Sequence, residues 1–191
     1  MEKYKIFAFL LVLSMTINGC TTIAVTGIAA GASIAADKRE TITIIEDQTI
    51  ELKASQAISS NKQLRDMTHI NFTSFNNIVL VTGEAPTEEM RTTIIELVRN
   101  IEKVKNVHNE ITIAGPSSFI SRSGDSVLTS KVKTKLIANQ DASAFNTKVV
   151  TEKGVVYLMG LVSREQANAA TETASKTGGV QKVVRLFEHI D

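Results

Sequence analysis

Catalysis requires suitable side chains that meet in one place, and the candidates in this chain are three histidines and two glutamates. His69, His108 and His189 lie in or beside three different predicted strands, which is not the spacing of a metal-ligand set. Glu88 and Glu165 occupy equivalent places and could be paired as acid and base, but each falls in the first turn of a predicted helix, where the helix dipole favours a carboxylate. The sequence has no zinc-protease, CxxC, P-loop or nucleophile-elbow motif. We therefore expect a protein that is not an enzyme and that has no metal and no cofactor.

Cys20 is the residue whose surroundings predict covalent chemistry. Residues 1–19 carry Lys3 and Lys5, and the apolar run Ile6–Leu13 that follows is too short to span a bilayer as a helix, which is typical of a signal peptide. Ile17-Asn-Gly-Cys20 resembles the bacterial lipobox, and a single cysteine in an exported chain cannot form an internal disulfide. Diacylglyceryl and N-acyl groups on Cys20 would hold the chain firmly, because stable anchoring needs more than one acyl chain. The alternative is an ordinary secretory signal with a free cysteine.

The residues after Cys20 predict where the anchor resides. Thr21 stands in place of the aspartate that retains lipoproteins in the inner membrane, which predicts the outer membrane with the protein facing the periplasm. We expect residues 20–46 to be the lipidated cysteine and a flexible tether. Thr22–Ala36 is small and apolar and is expected to lie against the membrane surface. Within the same tether, residues 41–45 are β-branched and predict an edge strand or irregular structure.

Charge is unevenly distributed between the two halves of the mature chain. Residues 47–113 carry 7 basic and 9 acidic side chains, whereas residues 125–191 carry 9 and 7. The basic excess is concentrated at Lys131, Lys133 and Lys135, in a predicted helix that begins at Asp125. Such a helix suits an anionic membrane surface when it also carries an apolar stripe.

The apolar stripe of this helix completes the candidate site. The residues that we expect to bind phospholipid are Val127, Leu128, Lys131, Val132, Lys133, Lys135 and Leu136. Val127 and Leu128, next to the linker, are the best candidates for apolar contact outside the core. In the alternative interpretation the stripe packs on the domain's own sheet and the lysines are merely solvated.

These residues must be positioned by a repeated unit. Asn77-Ile-Val-Leu-Val-Thr-Gly83 and Gly154-Val-Val-Tyr-Leu-Met-Gly160 have the same pattern, in which a turn leads into a β-rich run that ends at glycine. The two copies can be aligned over about 65 residues with a period of roughly 77, which is too long for a solenoid unit. The sequence therefore predicts two tandem domains, each in the order helix, strand, strand, helix, strand.

The predicted boundaries follow from composition and helix signals. Residues 47–113 form the first domain, with Asp47 as the N-cap of its first helix and 61–66 as a polar connection. Residues 114–124 are rich in Gly, Pro and Ser and are expected to be a linker, and residues 125–191 form the second domain.

This arrangement resembles the BON family, the "bacterial OsmY and nodulation" module. The most specific part is Lys153–Val162, and the lipobox followed by two such units is similar to outer-membrane lipoproteins with two BON domains. The resemblance implies an α+β fold in which two helices pack on one face of a small three-stranded mixed sheet. It also implies a non-catalytic module that interacts with membranes or phospholipids.

Together these observations predict a non-enzymatic periplasmic lipoprotein anchored in the outer membrane, and the resemblance implies that it supports outer-membrane integrity. Its second domain is expected to bind anionic phospholipid. The alternative is an envelope scaffold or assembly factor whose BON domains bind a protein, with outer-membrane assembly or cell-division proteins as partners implied by the resemblance alone. We expect no small-molecule substrate. We expect no nucleic-acid partner, because the chain lacks a strong basic patch with interleaved aromatic residues and is expected in the periplasm.

Overall fold

The computed structural model describes residues 41–115 and 119–190, and within that range the side chains of residues 119–122 are left aside. The predicted signal peptide, Cys20 and most of the predicted tether lie outside the described residues.

Both halves of the chain contain the predicted order of helices and strands. The first domain contains α1 (Thr41–Ser60), α2 (Lys62–Met67), β1 (His69–Phe75), β2 (Ile78–Ala85), α3 (Glu88–Arg99) and β3 (Asn106–Ile113). The second contains α4 (Phe119–Ala138), two 3₁₀ turns (Gln140–Ala142 and Ala144–Asn146), β4 (Thr147–Glu152), β5 (Val155–Val162), α5 (Arg164–Ser175) and β6 (Lys182–His189). The α+β class is confirmed.

Each domain has a three-stranded sheet with the repeated glycine-ended strand at its centre. β2 pairs with β1 in antiparallel fashion and with β3 in parallel fashion, and β5 pairs with β4 and β6 in the same way. The return from β2 to β3 is made through α3, as a parallel pair requires a crossover. The sheets are therefore mixed, as expected.

Alternation along the central strands separates two apolar layers. In β2, Val79 and Val81 belong to the core beneath the helices, whereas Leu80 faces the other side of the sheet. In β5, Val156 and Leu158 face the helices, and Tyr157 faces the other way. Both faces of each central strand are consequently buried, which explains its nearly continuous apolar sequence.

The glycines that end these strands are required by close backbone approach. A Cβ at Gly83 would lie 1.9 Å from the carbonyl oxygen of His69, and the backbone there has φ +117°. A Cβ at Gly160 would lie 2.4 Å from the carbonyl oxygen of Asn146. Any larger residue would push the first strand of the sheet away from the central one.

The faces of the two sheets that the helices leave uncovered pack against each other. Phe75, Leu80, Tyr157 and Met159 form a buried cluster that joins the domains. The layers therefore run helices, sheet, sheet, helices, and α1 and α4 lie in opposite outer layers. Face-to-face sheets pack about 10 Å apart.

Four local predictions were wrong. α1 begins at Thr41, so residues 41–45 are helical, and α4 begins at Phe119 inside the predicted linker. The connection at 61–66 is largely a short helix, capped by Asn61. Asp47 is not an N-cap but a buried residue within α1.

Asp47 does not cap its helix because its carboxylate binds the β1–β2 hairpin. The Asp47 carboxylate accepts hydrogen bonds from the backbone N–H groups of Asn76 (2.9 Å) and Asn77 (2.8 Å) and from the hydroxyl of Ser74 (2.6 Å). In the second domain, Asp125 accepts from the N–H groups of the equivalent turn. An aspartate bound to a hairpin does not stop its own helix, so both helices continue towards the N-terminus.

Candidate functional site

Three of the seven predicted lipid-binding residues are part of the core. Leu128, Val132 and Leu136 are 7%, 0% and 1% exposed and pack against the sheet of the second domain. They are one turn apart on α4, which places them on a single face of the helix. In this fold these three side chains face the sheet of their own domain and not solvent, as in the alternative interpretation of the stripe.

The other four predicted residues are exposed, but the lysines do not share one side. Val127 is 56% exposed, and Lys131, Lys133 and Lys135 are all on the surface. At 100° per residue, Lys131 and Lys135 lie together on one flank of the buried stripe, whereas Lys133 lies on the opposite flank. The lysines thus border the outward face of α4 from both sides.

That outward face is less polar than its sequence suggests. It consists of Val127, Ser130, Thr134 and Ile137, which recur at helical spacing. The hydroxyls of Ser130 and Thr134 donate to the carbonyl oxygens of Ser126 (3.0 Å) and Ser130 (2.9 Å). Their polar atoms are thereby turned to the backbone, which leaves carbon atoms facing outward between the two aliphatic residues.

Ile137 is a candidate that the sequence analysis missed. Its side chain is 63% exposed, and it lies three residues after Thr134 on the same face. Ten residues separate it from Val127, which is about 15 Å along a helix. The available signal was the helical spacing from Val127, together with its position off the buried stripe.

A groove runs beside α4, between the helix and the turn after α5. It has a volume of about 650 Å³ and is lined by Val127, Ser130, Lys131, Thr134, Lys135, Thr177 and Gly178. A second cleft of about 410 Å³ continues towards Asp125 and the β4–β5 hairpin, and Val127, Lys131 and Gly178 line both. The Lys135 ammonium donates to the carbonyl of Lys176 (3.3 Å), which holds this side chain at the groove wall.

The middle of α4 is held against the β4–β5 hairpin of its own domain. Asp125 accepts hydrogen bonds from the backbone N–H groups of Lys153 (2.8 Å) and Gly154 (2.9 Å), and Thr129 donates to the hydroxyl of Thr151 (2.7 Å). The exposed face of α4 is therefore presented by a helix that is fixed to its own sheet.

The two groups whose pKa values are raised, Glu152 and Tyr157, lie at the domain interface rather than at this face. Burial raises the pKa of Glu152, and the nearby carboxylate of Glu84 raises it further. Burial and the adjacent Glu110 raise the pKa of Tyr157. Both shifts follow from the packing of the two sheets, and no nucleophile is paired with either group among the hydrogen bonds described for them.

The candidates for catalysis do not come together. β2 separates His69 on β1 from His108 on β3, and His189 is in the second domain. Glu88 pairs with Arg91 on its own helix, and Glu165 accepts from the cap residue Ser163. Within residues 41–115 and 119–190, no group of three His, Cys, Asp or Glu side chains is placed to hold a metal ion.

Comparison with known families identifies both domains. The model of the BON domain matches residues 46–115 and 124–189. This chain belongs to the BON family. The two matched segments correspond to the two domains of the structure, each with its glycine-ended central strand.

The BON protein is similar along its whole length to a characterised lipoprotein. It is 37% identical over 191 residues to the outer membrane lipoprotein DolP of Haemophilus influenzae, covering 100% of this chain and 99% of that protein. It is 34% identical over 154 residues to the 21 kDa hemolysin of Actinobacillus pleuropneumoniae (81% and 79%), and 25% identical over 158 residues to the osmotically-inducible protein Y of Escherichia coli (81% and 78%).

The chain is thus a DolP-like protein with two BON domains, and none of these three relatives carries the name of an enzyme. The name of the full-length relative supports a location in the cell envelope. In the part of the chain that the structure describes, no helix is long and apolar enough to cross a membrane.

Proposed function

We propose that this BON protein is a non-enzymatic lipoprotein, anchored by Cys20 in the outer membrane and facing the periplasm, whose second domain binds anionic phospholipid through the outward face of α4. Its role is to support outer-membrane integrity. The observation that carries this proposal is an aliphatic and hydroxyl-bonded helix face, with Val127 and Ile137 exposed, bordered by lysines on both flanks.

Such a face matches the surface of an anionic bilayer. A helix in this position places its aliphatic residues at the boundary between headgroups and acyl chains, while flanking lysines reach the phosphates. Each lysine near an anionic surface contributes about 1 kcal/mol, so Lys131, Lys133 and Lys135 together contribute about 3 kcal/mol. This is weak for a free protein and adequate for one already tethered to the membrane, because tethering raises the effective concentration.

The first domain differs at the corresponding helix. The outward face of α1 exposes Ile42, Ile45 and Leu52, at 57%, 53% and 58%, without lysines on both flanks. α1 also lies in the outer layer opposite to α4, so a flat bilayer that contacts α4 does not reach it. This uncharged apolar face favours the second candidate function, a scaffold that binds a protein partner through the first domain.

Vesicle binding tests the lipid proposal. All core residues lie between Ile50 and Phe187, so residues 21–191 retain every core contact described and lack the acyl chains. We expect this form to bind vesicles containing phosphatidylglycerol and not pure phosphatidylcholine vesicles. Reversing the three lysines to glutamate should reduce binding to the phosphatidylcholine level without lowering the melting temperature, because all three side chains are exposed.

Matched pairs of apolar substitutions on α1 and α4 test which of the two outer helices binds lipid. Val127→Ser with Ile137→Ser should weaken binding to anionic vesicles, whereas Ile45→Ser with Leu52→Ser on α1 should not. Equal loss from both pairs, or binding that survives charge reversal on α4, would contradict the proposal. Loss of a defined co-purified protein only with the α1 pair would support the scaffold instead.

A further inference from the structure

Two glycines of the turn after α5 border the open space beside α4: Gly178 lines both the groove and the adjoining cleft, and Gly179 lines the cleft. Val180 N–H donates to the carbonyl of Thr177, and Gln181 N–H donates to the carbonyl of Gly154. Gly178 and Gly179 lie in sequence between Thr177 and Val180, whose N–H groups are hydrogen-bonded. The N–H groups of the two glycines have no acceptor among the described residues. Successive N–H groups of this kind form a concave site for an anion, because they supply donors without a competing charge.

Lysine side chains complete the donor set on the opposite wall. Lys131 lines the groove beside Gly178, and so does Lys135. The Lys135 ammonium uses one donor on the carbonyl of Lys176 and has two more. The carboxylate of Asp125 lies in the neighbouring cleft, where two backbone N–H groups already bind it.

The equivalent turn of the first domain has the same backbone path but different residues. Its turn has the same hydrogen bonds, with Val104 N–H donating to Ile101 and Lys105 N–H donating to Asn77. Glu102 and Lys103 therefore stand where the second domain has Gly178 and Gly179. Lys103 has φ +73°, as Gly179 has φ +105°, so the backbone path is shared.

Side chains occupy this place in the first domain. Lys103 lies 3.7 Å from the carboxylate of Glu46 on α1, and the remaining hollow, also lined by Glu102, measures about 150 Å³. In the second domain a Cβ at Gly178 would meet nothing within 4 Å, and the groove is about 650 Å³. The two domains share a fold, and only the second has an open groove with lysines and glycine N–H donors.

We infer that the groove between α4 and the Gly178–Gly179 turn binds a single phosphate group, as carried by a phospholipid headgroup. The phosphate oxygens accept from the N–H groups of Gly178 and Gly179 and from the ammonium groups of Lys131 and Lys135. Val127, on the rim of the groove, lies where the glycerol and upper acyl carbons of a lipid would pass. This inference rests on the proposed lipid-binding function and adds a defined headgroup site to it.

Two substitutions at Gly178 test the site with little effect on the fold. Gly178 does not have a positive φ, and its Cβ position is open, so larger residues fit there. Gly178→Glu places a carboxylate in the groove, as Glu102 does in the first domain, and Gly178→Gln is the neutral match. We expect Gly178→Glu to weaken binding to phosphatidylglycerol vesicles at least tenfold and Gly178→Gln to weaken it far less, with equal melting temperatures.

A pair of lysines gives a second comparison. Lys131 lines the groove, whereas Lys133 is exposed on the other flank of the same helix and carries the same charge. If the groove is a defined phosphate site, Lys131→Gln should weaken vesicle binding several-fold more than Lys133→Gln. Diffuse attraction to the bilayer predicts equal effects, and equal effects would overturn the inference while leaving the proposed function intact.

Amide NMR of residues 21–191 distinguishes the sources of phosphate. Inorganic phosphate and glycerol 1-phosphate should each shift the amide signals of Gly178 and Gly179 at millimolar concentration, and Gly178→Glu should abolish these shifts. Saturation by inorganic phosphate with no response to phosphatidylglycerol vesicles would assign the site to a free phosphate and overturn the lipid assignment. Unshifted glycine signals in wild-type protein that still binds vesicles would overturn the site alone, whereas absence of vesicle binding would overturn the proposed function.

Discussion

The Nζ atom of Lys153 lies 2.8 Å from Oε1 of Glu84, a carboxylate that is fully buried between the two BON domains. Lys153 is also the residue whose backbone N–H binds Asp125, within the lysine-bearing helix. One residue of the β4–β5 hairpin therefore contacts both the domain interface and the helix proposed to face lipid. The position of that helix relative to the first domain depends on this hairpin.

Lys153→Met removes the positive charge beside Glu84. A buried carboxylate that loses its partner is strongly destabilising, and because Lys153 is itself 37% exposed we expect a loss of about 2–3 kcal/mol in the free energy of unfolding. Urea unfolding measures it. Lys148→Met, which breaks the more exposed pair with Glu51, is the control and should cost less than about 1 kcal/mol. Equal losses would show that burial of Glu84 is not decisive.

Glu152→Gln should change the dependence of stability on pH. Burial, and next the charge of Glu84, raise the pKa of Glu152 above its ordinary value of 4.5 in the folded protein. The folded state therefore binds this proton more tightly than the unfolded state, so the wild type loses stability as pH rises from 4.5 through the raised pKa. Glutamine cannot ionise and can still accept from Asn71.

We accordingly expect Glu152→Gln to be more stable than the wild type at pH 7.5, with the difference shrinking towards zero near pH 4. Thermal unfolding of both proteins across this range measures the difference. A stability gain that is constant with pH would indicate a packing effect instead of titration.

Asp47→Ala should destabilise the protein more than Asp125→Ala. Asp47 is 3% exposed and accepts three hydrogen bonds from the β1–β2 region, whereas Asp125 is half-buried and accepts two. A hydrogen bond contributes about 0.5–1.5 kcal/mol net, with the upper part of that range for the buried acceptor Asp47 and the lower part for half-buried Asp125, whose donors water can reach. We expect losses of about 3–5 and about 1–2 kcal/mol, measured by chemical unfolding. The reverse order would mean that the hairpins do not depend on these carboxylates.

Neighbouring residues of the lysine-bearing helix should have opposite roles. Leu136→Ala leaves a cavity in the core of the second domain and should cost about 2–5 kcal/mol. Ile137→Ala, at a 63% exposed side chain, should change stability by less than about 0.5 kcal/mol and should weaken anionic vesicle binding. Differential scanning calorimetry and vesicle sedimentation give the two quantities. A stable Leu136→Ala protein would contradict the assignment of this stripe to the core.

Much of the fold could be predicted from local patterns. The repeated strands ending at Gly83 and Gly160 predicted two domains and their element order, because periodicity of two or of 3.6 residues is a local property. The residues at which the helices begin were harder to predict. The β-branched residues 41–45 favour a strand locally, yet they extend α1, because Asp47 binds a distant hairpin and does not cap the helix.

The candidate site, too, was predicted only in part from the sequence. Sequence identified α4, its apolar stripe and its lysines, and spacing placed Leu128, Val132 and Leu136 on one face. Apolar periodicity indicates that one face of a helix is buried, but it does not show whether the domain's own sheet or a membrane covers that face. The structure assigns the stripe to the core and leaves Val127 and Ile137 on the outside.

Residue types and short spacings were sufficient to predict the repeat, the order of elements and the glycines at the strand ends, because these are local features. The face-to-face packing of the two sheets, the pairing of Glu84 with Lys153 and the position of Gly178 beside Lys131 became visible only in the folded chain. These relationships join residues about 50 to 80 positions apart. Long-range packing and burial, which no local pattern encodes, determine them.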